Sequence, residues 1–551
     1  MNAIPAPRRR PRPAVLARRV LGLLRHGGPA AVARRVVLAH GRSRVERAPL
    51  SSLFTEYLAR ESALGSGRSA GDGCRRVSVG VARLPPLESA ARDAEAIAAA
   101  LAGDEDVLIL LREGDAPLPA AAEICARAFG EDVRLAALLG DEQCCGGGTA
   151  YPLLRPGWSD DLFRHAFDPG SAVVVRAEAA RRAGGPRGEA GPAALFDLLL
   201  RLHADPGAVR QIPRILVRRG GPSVPESQAL RETIERSHRE VLAAWIGRSG
   251  DVAQVTRGLA AGTRRIRRPL RPGLRVAAIV PTRDGGTFLS RCVASLVTLP
   301  EPRPDVVLVD NGSRDEETLT LLTSFEREGR AQVLRRPGPF NFSALMNAAA
   351  REVDADLLLF LNDDTEARSP EAVSALCEEA VRPDVAAAGG LLLYPDGRIQ
   401  HAGLVTGMGI VAGHLYKGME REGPSWFVSP LVAREVTAVD GACFMARRDL
   451  FLRLGGFDEV GLPVSFSDVD FCLRARQEGF RIMYTPFAEF LHVETATRDP
   501  ELDPREIRLM ERRWGPVLAR DPYYHPGLTL CSETARPDPW RRAGVQAARA
   551  R

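Results

Sequence analysis

Acidic side chains suited to catalysis or to metal binding occur in two stretches of the second half of the sequence. The first is Asn362-Asp363-Asp364, directly after the apolar run LLLFL. Amide and carboxylate oxygens are hard ligands that Mg²⁺ and Mn²⁺ prefer, and a bound cation would stabilise the charge of a departing diphosphate. The second stretch contains Asp468 and Asp470 at the start of a predicted helix. Asp468 could bind the helix amide groups as a cap, or face a cleft as a general base.

Two further polar clusters follow predicted strands upstream. Pro281-Thr282-Arg283 come after the apolar strand Val276–Val280, and Asp310-Asn311 come at the end of the strand Val306–Val309. Because the carboxyl ends of parallel strands meet at one edge of a sheet, these clusters should lie beside residues 362–364. Asp310 could accept hydrogen bonds there from a base or a ribose. A single cluster would indicate only a turn, whereas three at one edge predict a binding site.

Three histidines have side chains that could bind a ligand. His492 lies in FLHVE after an apolar strand, where it is either a metal ligand or a packed or surface histidine. His401 and His414 lie in glycine-flanked loops, where they are either substrate contacts or structural residues, the commoner case. The sequence pattern leaves both questions open.

The elements that would position these residues alternate between strands and helices. From Leu274 onward, apolar strands such as Leu357–Leu361 alternate with predicted helices such as Glu316–Glu328. Continuous apolar strands separated by helices are typical of a mostly parallel sheet with both faces covered. The stretch from Arg75 to about Arg219 shows the same alternation. We therefore predict an α/β protein with two such regions.

The length of 551 residues is enough for two or three domains. The tail contains Trp514, which either packs against the second domain or contributes to an acceptor groove. From changes in composition we predict a basic N-terminal arm with helices (1–74), a first α/β domain (75–219), a linker with a helix (220–272), a second α/β domain (273–500) and a helical, aromatic tail (501–551).

An internal repeat relates the two α/β regions. Residues 170–185, GSAVVVRAEAARRAGG, align without a gap with residues 441–456, GACFMARRDLFLRLGG. Further on, the alignment places Leu195 opposite Asp468, and leucine cannot accept a proton. It places Leu111-Arg112-Glu113 opposite residues 362–364, and the first copy has no counterpart of PTRDGG or VDNGS. We expect the first copy to be catalytically inactive or structural.

Charge is unevenly distributed along the chain. The net charge is +6, but residues 1–48 contain twelve arginines and one acid, so the remainder is net negative. Nucleic-acid binding by the folded part is therefore not expected. The basic arm is either loosely ordered or a peripheral contact with the anionic inner face of a membrane.

The remaining composition predicts a cytoplasmic protein. No apolar run approaches the ~20 residues that span a bilayer, and the arginine-broken N-terminus does not indicate a cleaved signal. The nine cysteines are scattered without CxxC spacing, which is typical of reduced thiols.

The order and spacing of these motifs resemble family 2 glycosyltransferases, which have the GT-A fold. VPTRDGG, VDNGS, FLNDD, GACFMARRDLFLRLGGFDE, DVDFCLR and the late histidine follow that family's order over residues 274–498. PGPFNFSALMN, DGRIQHAGLV and VAGHLYKG resemble a bacterial subgroup with two such domains in tandem, often linked to O-antigen or other surface polysaccharide synthesis. The resemblance implies two GT-A-like domains, the first of them degenerate.

The resemblance also implies a role for each matching residue. Asp468 corresponds to the catalytic base, and Asp364 and His492 correspond to metal ligands. The positions that match nucleotide-binding residues are Pro281, Thr282, Arg283, Asp310, Asn311, Asn347, Asn362 and Asp363. The positions expected on the acceptor side are Gly441, Asp470 and Trp514.

The chain departs from the family pattern at two of these positions. Asn362 stands at the first position of the DxD-type motif, and Ser467 precedes the base where many relatives carry an acid. An asparagine side chain can still hydrogen-bond a ribose or a diphosphate, so the assignment of the motif stands.

The implied reaction moves a sugar from a nucleoside-diphosphate sugar to a hydroxyl of a glycan or lipid-linked acceptor, with inversion and with Mg²⁺ or Mn²⁺ as cofactor. A bifunctional polymerase with two active copies is an alternative that Leu195 disfavours. A second alternative is a non-catalytic subunit of a polysaccharide assembly complex, which the full set of acids in the second copy disfavours. A nucleotidyltransferase is a third, and it would not need the segment from GGFDE to DVD.

Overall fold

The computed structural model describes residues 44–63, 76–146, 148–166, 172–205, 207–220, 227–422, 426–494 and 502–541. Helices and strands alternate through these residues, as predicted for an α/β protein. The helices are α1 Leu50–Ala63, α2 Asp93–Leu101, α3 Ala121–Glu131, α4 Asp160–Ala166, α5 Ala177–Arg182, α6 Ala194–Leu202, α7 Gln228–Arg248, α8 Gly286–Val297, α9 Glu316–Arg327, α10 Phe342–Glu352, α11 Ala372–Ala380, α12 Arg448–Arg453, α13 Ser467–Gln477 and α14 Pro504–Leu518.

The strands form two large sheets and two small ones. In the first half of the chain they are β1 Val79–Leu84, β2 Val107–Arg112, β3 Ala116–Pro117, β4 Ala137–Gly146, β5 Thr149–Leu153, β6 Val173–Arg176, β7 Val209–Arg218, β8 Gln254–Arg257 and β9 Arg264–Arg267. In the second half they are β10 Val276–Thr282, β11 Asp305–Asp310, β12 Gln332–Arg335, β13 Leu357–Leu361, β14 Thr365–Ala367, β15 Val385–Leu393, β16 Ile399–His401, β17 Leu404–Thr406, β18 Ala412–His414, β19 Arg434–Glu435, β20 Cys443–Arg447 and β21 Arg481–His492.

The second large sheet has the strand order β12-β11-β10-β13-β20-β15-β21-β14. Strands β10 to β13 are parallel to one another, but β20 runs antiparallel between β13 and β15, so the sheet is mixed. Successive residues of β13 belong to two hydrophobic cores, with Leu358 and Phe360 in one and Leu359 and Leu361 in the other. Burial on both faces explains why this strand is a continuous apolar run rather than an alternating one.

The first large sheet repeats this topology. Its order β1-β2-β6-β4-β7-β3 matches β10-β13-β20-β15-β21-β14 strand by strand, with the same parallel and antiparallel pairings. The side strand β5 pairs with β4 as β16 pairs with β15. Within the described residues, this sheet has no equivalents of β11 and β12. The shared topology supports the repeat inferred from the sequence, including the shortened start of the first copy.

One partly buried arrangement of hydrogen bonds recurs in both copies. Arg474 donates to Asp470 one helical turn earlier and to two carbonyl groups of the glycine turn that ends α12. Arg201 does the same with Asp197 and the glycine turn that ends α5. Because the guanidinium satisfies carbonyl groups left unpaired at a helix end, it fixes each long helix against the short helix before it.

Buried ion pairs join the two α/β regions. The Asp161 carboxylate is fully buried and accepts hydrogen bonds from Arg382 (3.1 and 2.9 Å) and Arg481 (2.6 Å). Burial raises the pKa of Asp161, but the two guanidinium charges lower it far more, so the group is ionised. The C-terminal segment adds a second bridge, because His525 lies 2.8 Å from the buried carboxylate of Asp141. Removing the Asp161 carboxylate from this bridge would take a counter-charge from two guanidinium groups at the junction, which is costly.

The predicted basic arm falls mostly on residues 1–43, which lie outside the described residues, and so does the expected membrane contact. Within the described part of the chain, no helix is both long and apolar enough to cross a bilayer. The cysteines in that part are free thiols, most of them buried.

Candidate active site

The polar ends of β10, β11 and β13 meet at one edge of the second sheet. The Thr282 hydroxyl donates to the Asp363 carboxylate at 2.7 Å, and the backbone N–H of Asn311 donates to the backbone carbonyl of Thr282 at 2.9 Å. The Asp310 carboxylate accepts the Ser313 N–H at 2.9 Å. The structure therefore brings together the three clusters expected from the sequence.

Asn311 lies buried at this edge of the sheet and binds the loop that follows β12. Its side-chain amide donates to the carbonyl groups of Arg336 and Gly338 at 2.8 and 3.4 Å. Its Oδ1 atom is buried and has no hydrogen-bond partner in the part of the chain that the structure describes. Pro281 is half-buried and Arg283 is exposed. A buried acceptor without a donor is a position where an N–H group of a ligand would fit.

Asn362, Asp364 and His492 converge at the ends of β13 and β21. The Nε2 atom of His492 lies 3.2 Å from Asp364 Oδ1 and 3.2 Å from Asn362 Nδ2, and its Nδ1 atom contacts Gln400 Oε1. Since Gln400 Oε1 can only accept, Nδ1 carries a proton and the neutral ring has its lone pair on Nε2, facing Asp364. Two electron-pair donors this close need a cation between them, either a proton or a metal ion. Burial lowers the pKa of His492, but the hydrogen bond and charge of Asp364 raise it above its ordinary value.

Asp468 is the second residue of α13. Its two carboxylate oxygens accept the N–H groups of Gly441 and Val469, each at 2.8 Å. Phe466, just before the helix, has a left-handed φ of +62°, a strained conformation for a residue with a side chain. Burial and the charge of Asp440 raise the pKa of Asp468 to about 7. A half-buried carboxyl with that pKa is suited to general base catalysis near neutral pH.

Asp440 and Gln400 contribute to the site but were not predicted from the sequence. Asp440 precedes the glycine that binds the base; its Oδ1 accepts the Ala442 N–H at 2.9 Å, and its Oδ2 lies 3.5 Å from His414. Burial raises the pKa of Asp440, but His414 and His401 lower it more, so the carboxyl is an anion. The sequence did contain a signal for Asp440, because it is an acidic residue between apolar residues, shortly before the apolar strand β20.

Asn347 does not lie where the resemblance led us to expect it. It is buried, and its side chain donates to the Phe457 carbonyl and to Glu459, each at 2.8 Å, while accepting the Phe457 N–H at 2.9 Å. These contacts use the amide to fix the loop that leads to α13. The expected nucleotide contact of Asn347 is therefore replaced by a structural one.

Asp470 and Trp514 were expected on the acceptor side, and the structure does not support that role. Asp470 is fully buried and accepts hydrogen bonds from Arg474, Arg513 and Trp514 at 2.7 to 2.9 Å. Trp514 is 3% exposed. Both residues therefore attach α14 to α13, in agreement with the packing interpretation of the tail. Gly441, the third expected residue, does lie beside Asp468.

The comparison with known families concerns the domain that carries this site. Residues 277–455 match the model described as glycosyl transferase family 2. The second α/β domain is a family 2 glycosyltransferase domain. The match contains Thr282, Asp364 and Gly441, while Asp468 and His492 lie beyond its end.

Several curated proteins resemble the chain over both domains. It is 34% identical over 402 residues to the uncharacterized protein y4gI of Sinorhizobium fredii, which covers 70% of this chain and 44% of that protein. It is 35% identical over 435 residues to the O-antigen biosynthesis protein RfbC of Myxococcus xanthus, covering 77% and 34%. The chain thus spans less than half the length of these two relatives.

Other likenesses are more distant. The chain is 27% identical over 247 residues to an N-acetylglucosaminyl-diphospho-decaprenol L-rhamnosyltransferase of Mycobacterium tuberculosis, covering 40% of this chain and 78% of that protein. The solved structure of GalNAc-T7 with UDP, GalNAc and Mn²⁺ has a TM-score of 0.36 and 15% identity, covering 46% and 50%. The mannosyltransferase PcManGT of Pyrobaculum calidifontis with GDP-Man and Mn²⁺ has a TM-score of 0.32 and 15% identity, covering 51% and 77%.

The first α/β domain differs from the family 2 domain at the positions that form the site. Leu195 is buried at the position of Asp468. Strand pairing also shifts the sequence alignment by one residue, because Val107 pairs with Arg176 as Leu357 pairs with Arg447. The residue opposite Asn362 is therefore Arg112, not Leu111.

An arginine takes the place of the late histidine in the first domain. Arg219 follows β7 where His492 ends β21, and it is buried in an ion pair with Glu142, which also binds Arg155. Burial raises the pKa of Glu142, but the two guanidinium charges lower it more. The paired guanidinium occupies this position, so the first domain has no imidazole there to bind a metal ion.

Proposed function

We propose that the chain transfers a sugar from a nucleoside-diphosphate sugar to a hydroxyl group of an acceptor, with inversion at the anomeric carbon and with dependence on Mg²⁺ or Mn²⁺. The observation that carries this proposal is Asp468, a half-buried carboxyl oriented by two backbone amides and with a pKa of about 7. A single displacement with inversion needs one base that takes the proton of the attacking hydroxyl. Asp468 supplies such a base in the family 2 domain.

The donor side of the proposed site is the edge formed by β10, β11 and β13. Asp310 and the unpaired Oδ1 of Asn311 offer acceptors for the N–H and hydroxyl groups of a nucleoside. Asp364 and His492 would hold a divalent cation, with Asn362 beside them. When bound, that cation neutralises the diphosphate and so stabilises the leaving group. The bond from Thr282 to Asp363 keeps the two loops of this edge together.

We further propose that only one of two tandem GT-A-like domains is active, with boundaries near 75–219 and 273–500. Leu195 in place of the base and Arg219 in place of the metal-binding histidine support an inactive first domain. The missing equivalents of β11 and β12, within the described residues, also remove the strand end that carries Asp310. The buried bridge at Asp161 supports a structural role for the first domain.

The biological setting that we propose is surface polysaccharide synthesis, with a glycan or lipid-linked acceptor. The similarity to the O-antigen biosynthesis protein RfbC supports it, although the chain spans only 34% of that protein. We also propose that the arginine-rich arm contacts an anionic membrane face, which its charge would favour by about 1 kcal/mol per arginine.

A panel of UDP-, GDP- and dTDP-sugars tests the proposed function. The full chain should release the nucleoside diphosphate from at least one donor when Mg²⁺ or Mn²⁺ is present, and chelation should stop the reaction. An Asp364→Ala variant that is still folded should lose the metal-dependent release. No turnover with any donor, or turnover that survives both chelation and Asp364→Ala, would contradict a metal-dependent transferase.

A further inference from the structure

Three side chains that the proposed transfer does not use meet beside the base. The Nδ1 atoms of His401 and His414 lie 3.1 Å apart, and Nδ1 of His414 lies 3.5 Å from Asp440 Oδ2. One potential ligand atom from each residue lies within 4.8 Å of the other two. Two imidazoles and a carboxylate form a ligand set that binds borderline ions such as Zn²⁺, Co²⁺ and Mn²⁺.

The cluster is held by regular structure rather than by loops alone. His401 ends β16, and His414 ends β18, where it pairs with Leu404 across a short hairpin. The backbone amide of His414 also donates to Glu533 of the C-terminal segment at 3.1 Å. Ligands fixed in this way lose little side-chain entropy when they bind an ion.

One side of the cluster is open to solvent. His401 is 1% exposed, whereas the side chains of His414 and Asp440 are 25% and 21% exposed. An ion bound to the three side chains would therefore keep an open coordination position on that side. Gly441, the residue after Asp440, donates its N–H to Asp468, so the cluster lies next to the base.

The cluster shares no residue with the donor-side ligands. Gln400 and His401 are consecutive in β16, yet the first contacts His492 and the second contacts His414. The two groups of ligands are thus neighbours that one strand connects. Removal of either group leaves the ligands of the other intact.

The hydrogen bonds of the cluster show what an ion would displace. The Gly403 N–H lies 3.2 Å from His401 Nε2, so the His401 proton is on Nδ1, where it bridges to His414. An ion replaces that bridging proton when the His401 proton moves to Nε2 and the Gly403 amide turns away. Gly403 has a φ of +96°, and a glycine has the backbone freedom for this turn.

We propose that His401, His414 and Asp440 form a second cation site, which takes a borderline divalent ion such as Zn²⁺, Co²⁺ or Mn²⁺ through two imidazoles and one carboxylate. The ion would offer its open position to an oxygen of the acceptor. That last role rests on the proposed function, whereas the binding of the ion does not.

A Co²⁺ titration of the full chain, stripped of metal with a chelator, tests the site through the visible absorption of the bound ion. The background variant carries Asp364→Asn and His492→Gln, which remove the donor-side ligands. We expect this variant to bind one equivalent of Co²⁺. Adding His414→Gln or Asp440→Asn should weaken that binding by about 100-fold or more, because each removes a direct ligand.

The matched control is His203→Gln in the same background. His203 lies at the C-terminal end of α6 in the first domain and contacts Asp160. This control should bind Co²⁺ as the background variant does. Two separate ligand variants are used so that a folding defect in one, detected by thermal unfolding, does not decide the result. The proposal is wrong if the background variant binds no ion, or if either folded ligand variant keeps its full affinity. No sugar is present, so failure of the proposed transfer reaction would not produce either result.

Discussion

Replacing Asp468 with asparagine separates proton transfer from the other roles of this residue. The new side chain has nearly the same size, and its carbonyl oxygen can still accept one of the N–H groups of Gly441 and Val469. The start of α13 should therefore remain folded, and donor binding should persist. An amide cannot take the proton of an attacking hydroxyl, so turnover should fall about 10²- to 10⁴-fold, the range for loss of a general base.

The pH dependence gives this prediction a second, sharper form. With a pKa of about 7, raised by burial and by Asp440, the Asp468 carboxyl is about half ionised at pH 7. Only the ionised form accepts a proton, so activity should rise with pH through this range. At pH 6 about one tenth of the carboxyl is ionised, which predicts an approximately tenfold fall from the plateau. An aspartate with an ordinary pKa would show no such fall above pH 5.

The assay is the release of nucleoside diphosphate from pH 5.5 to 8.5, with the donor and acceptor that the panel identifies. The matched control is Asp305→Asn, an exposed aspartate at the opposite end of β11, which should leave both rate and pH profile unchanged. The reasoning would be refuted if the Asp468→Asn enzyme kept more than about a tenth of the wild-type turnover, since general base loss costs far more. A retained acidic limb near pH 7 in that variant would assign the titration to another group.

Three other predictions follow from the contacts. Asp364→Asn should raise the Mg²⁺ or Mn²⁺ concentration for half-maximal activity at least about tenfold, and unchanged metal dependence would exclude Asp364 as a ligand. Asp161→Asn should lower the free energy of unfolding by about 2–3 kcal/mol, because Arg382 and Arg481 each lose a charged hydrogen-bond partner and keep only their other carboxylates. Glu178→Gln, in an exposed pair, should cost about 0.5 kcal/mol or less, and equal losses in denaturant unfolding would contradict the buried bridge. Gly456→Ala should lower the free energy of unfolding by about 1–3 kcal/mol, because the φ of Gly456 is +64° and an added Cβ would clash with Oδ1 of Asn347. An unchanged unfolding midpoint would contradict this strain.

The ion pairs of Asp161 with Arg382 and Arg481 also predict how the stability of the protein depends on pH. The pKa of Asp161 is lowered in the folded protein, so its contribution is fully present above the pKa of about 4 of an unfolded aspartate. It is lost progressively as the pH falls below that value. Unfolding measured between pH 7 and pH 3 should therefore show a smaller loss of stability in Asp161→Asn than in the wild type. Equal slopes would contradict the assignment.

Local sequence was enough to identify most elements and the polar ends of the strands. The strand Leu357–Leu361 was predicted with the bounds that the structure has, because burial on both faces leaves an unbroken apolar run. The acids after such a run lie at the sheet edge for a simple reason: parallel strands all end on the same side. The repeat was visible for a similar reason, since a turn fixed by Arg201 or Arg474 needs the same residues at the same spacing.

Tertiary structure alone decided which polar side chains remain available for chemistry. Asn347 and Asp470 lie in motifs that suggested ligand contacts, but the folded chain gives both of them hydrogen-bond partners from distant segments and uses them structurally. Asp440, which the sequence did not single out, raises the pKa of Asp468 because folding brings two acids into one partly buried place. The strength of a charge depends on burial and on neighbours far away in sequence, and spacing along the chain contains neither.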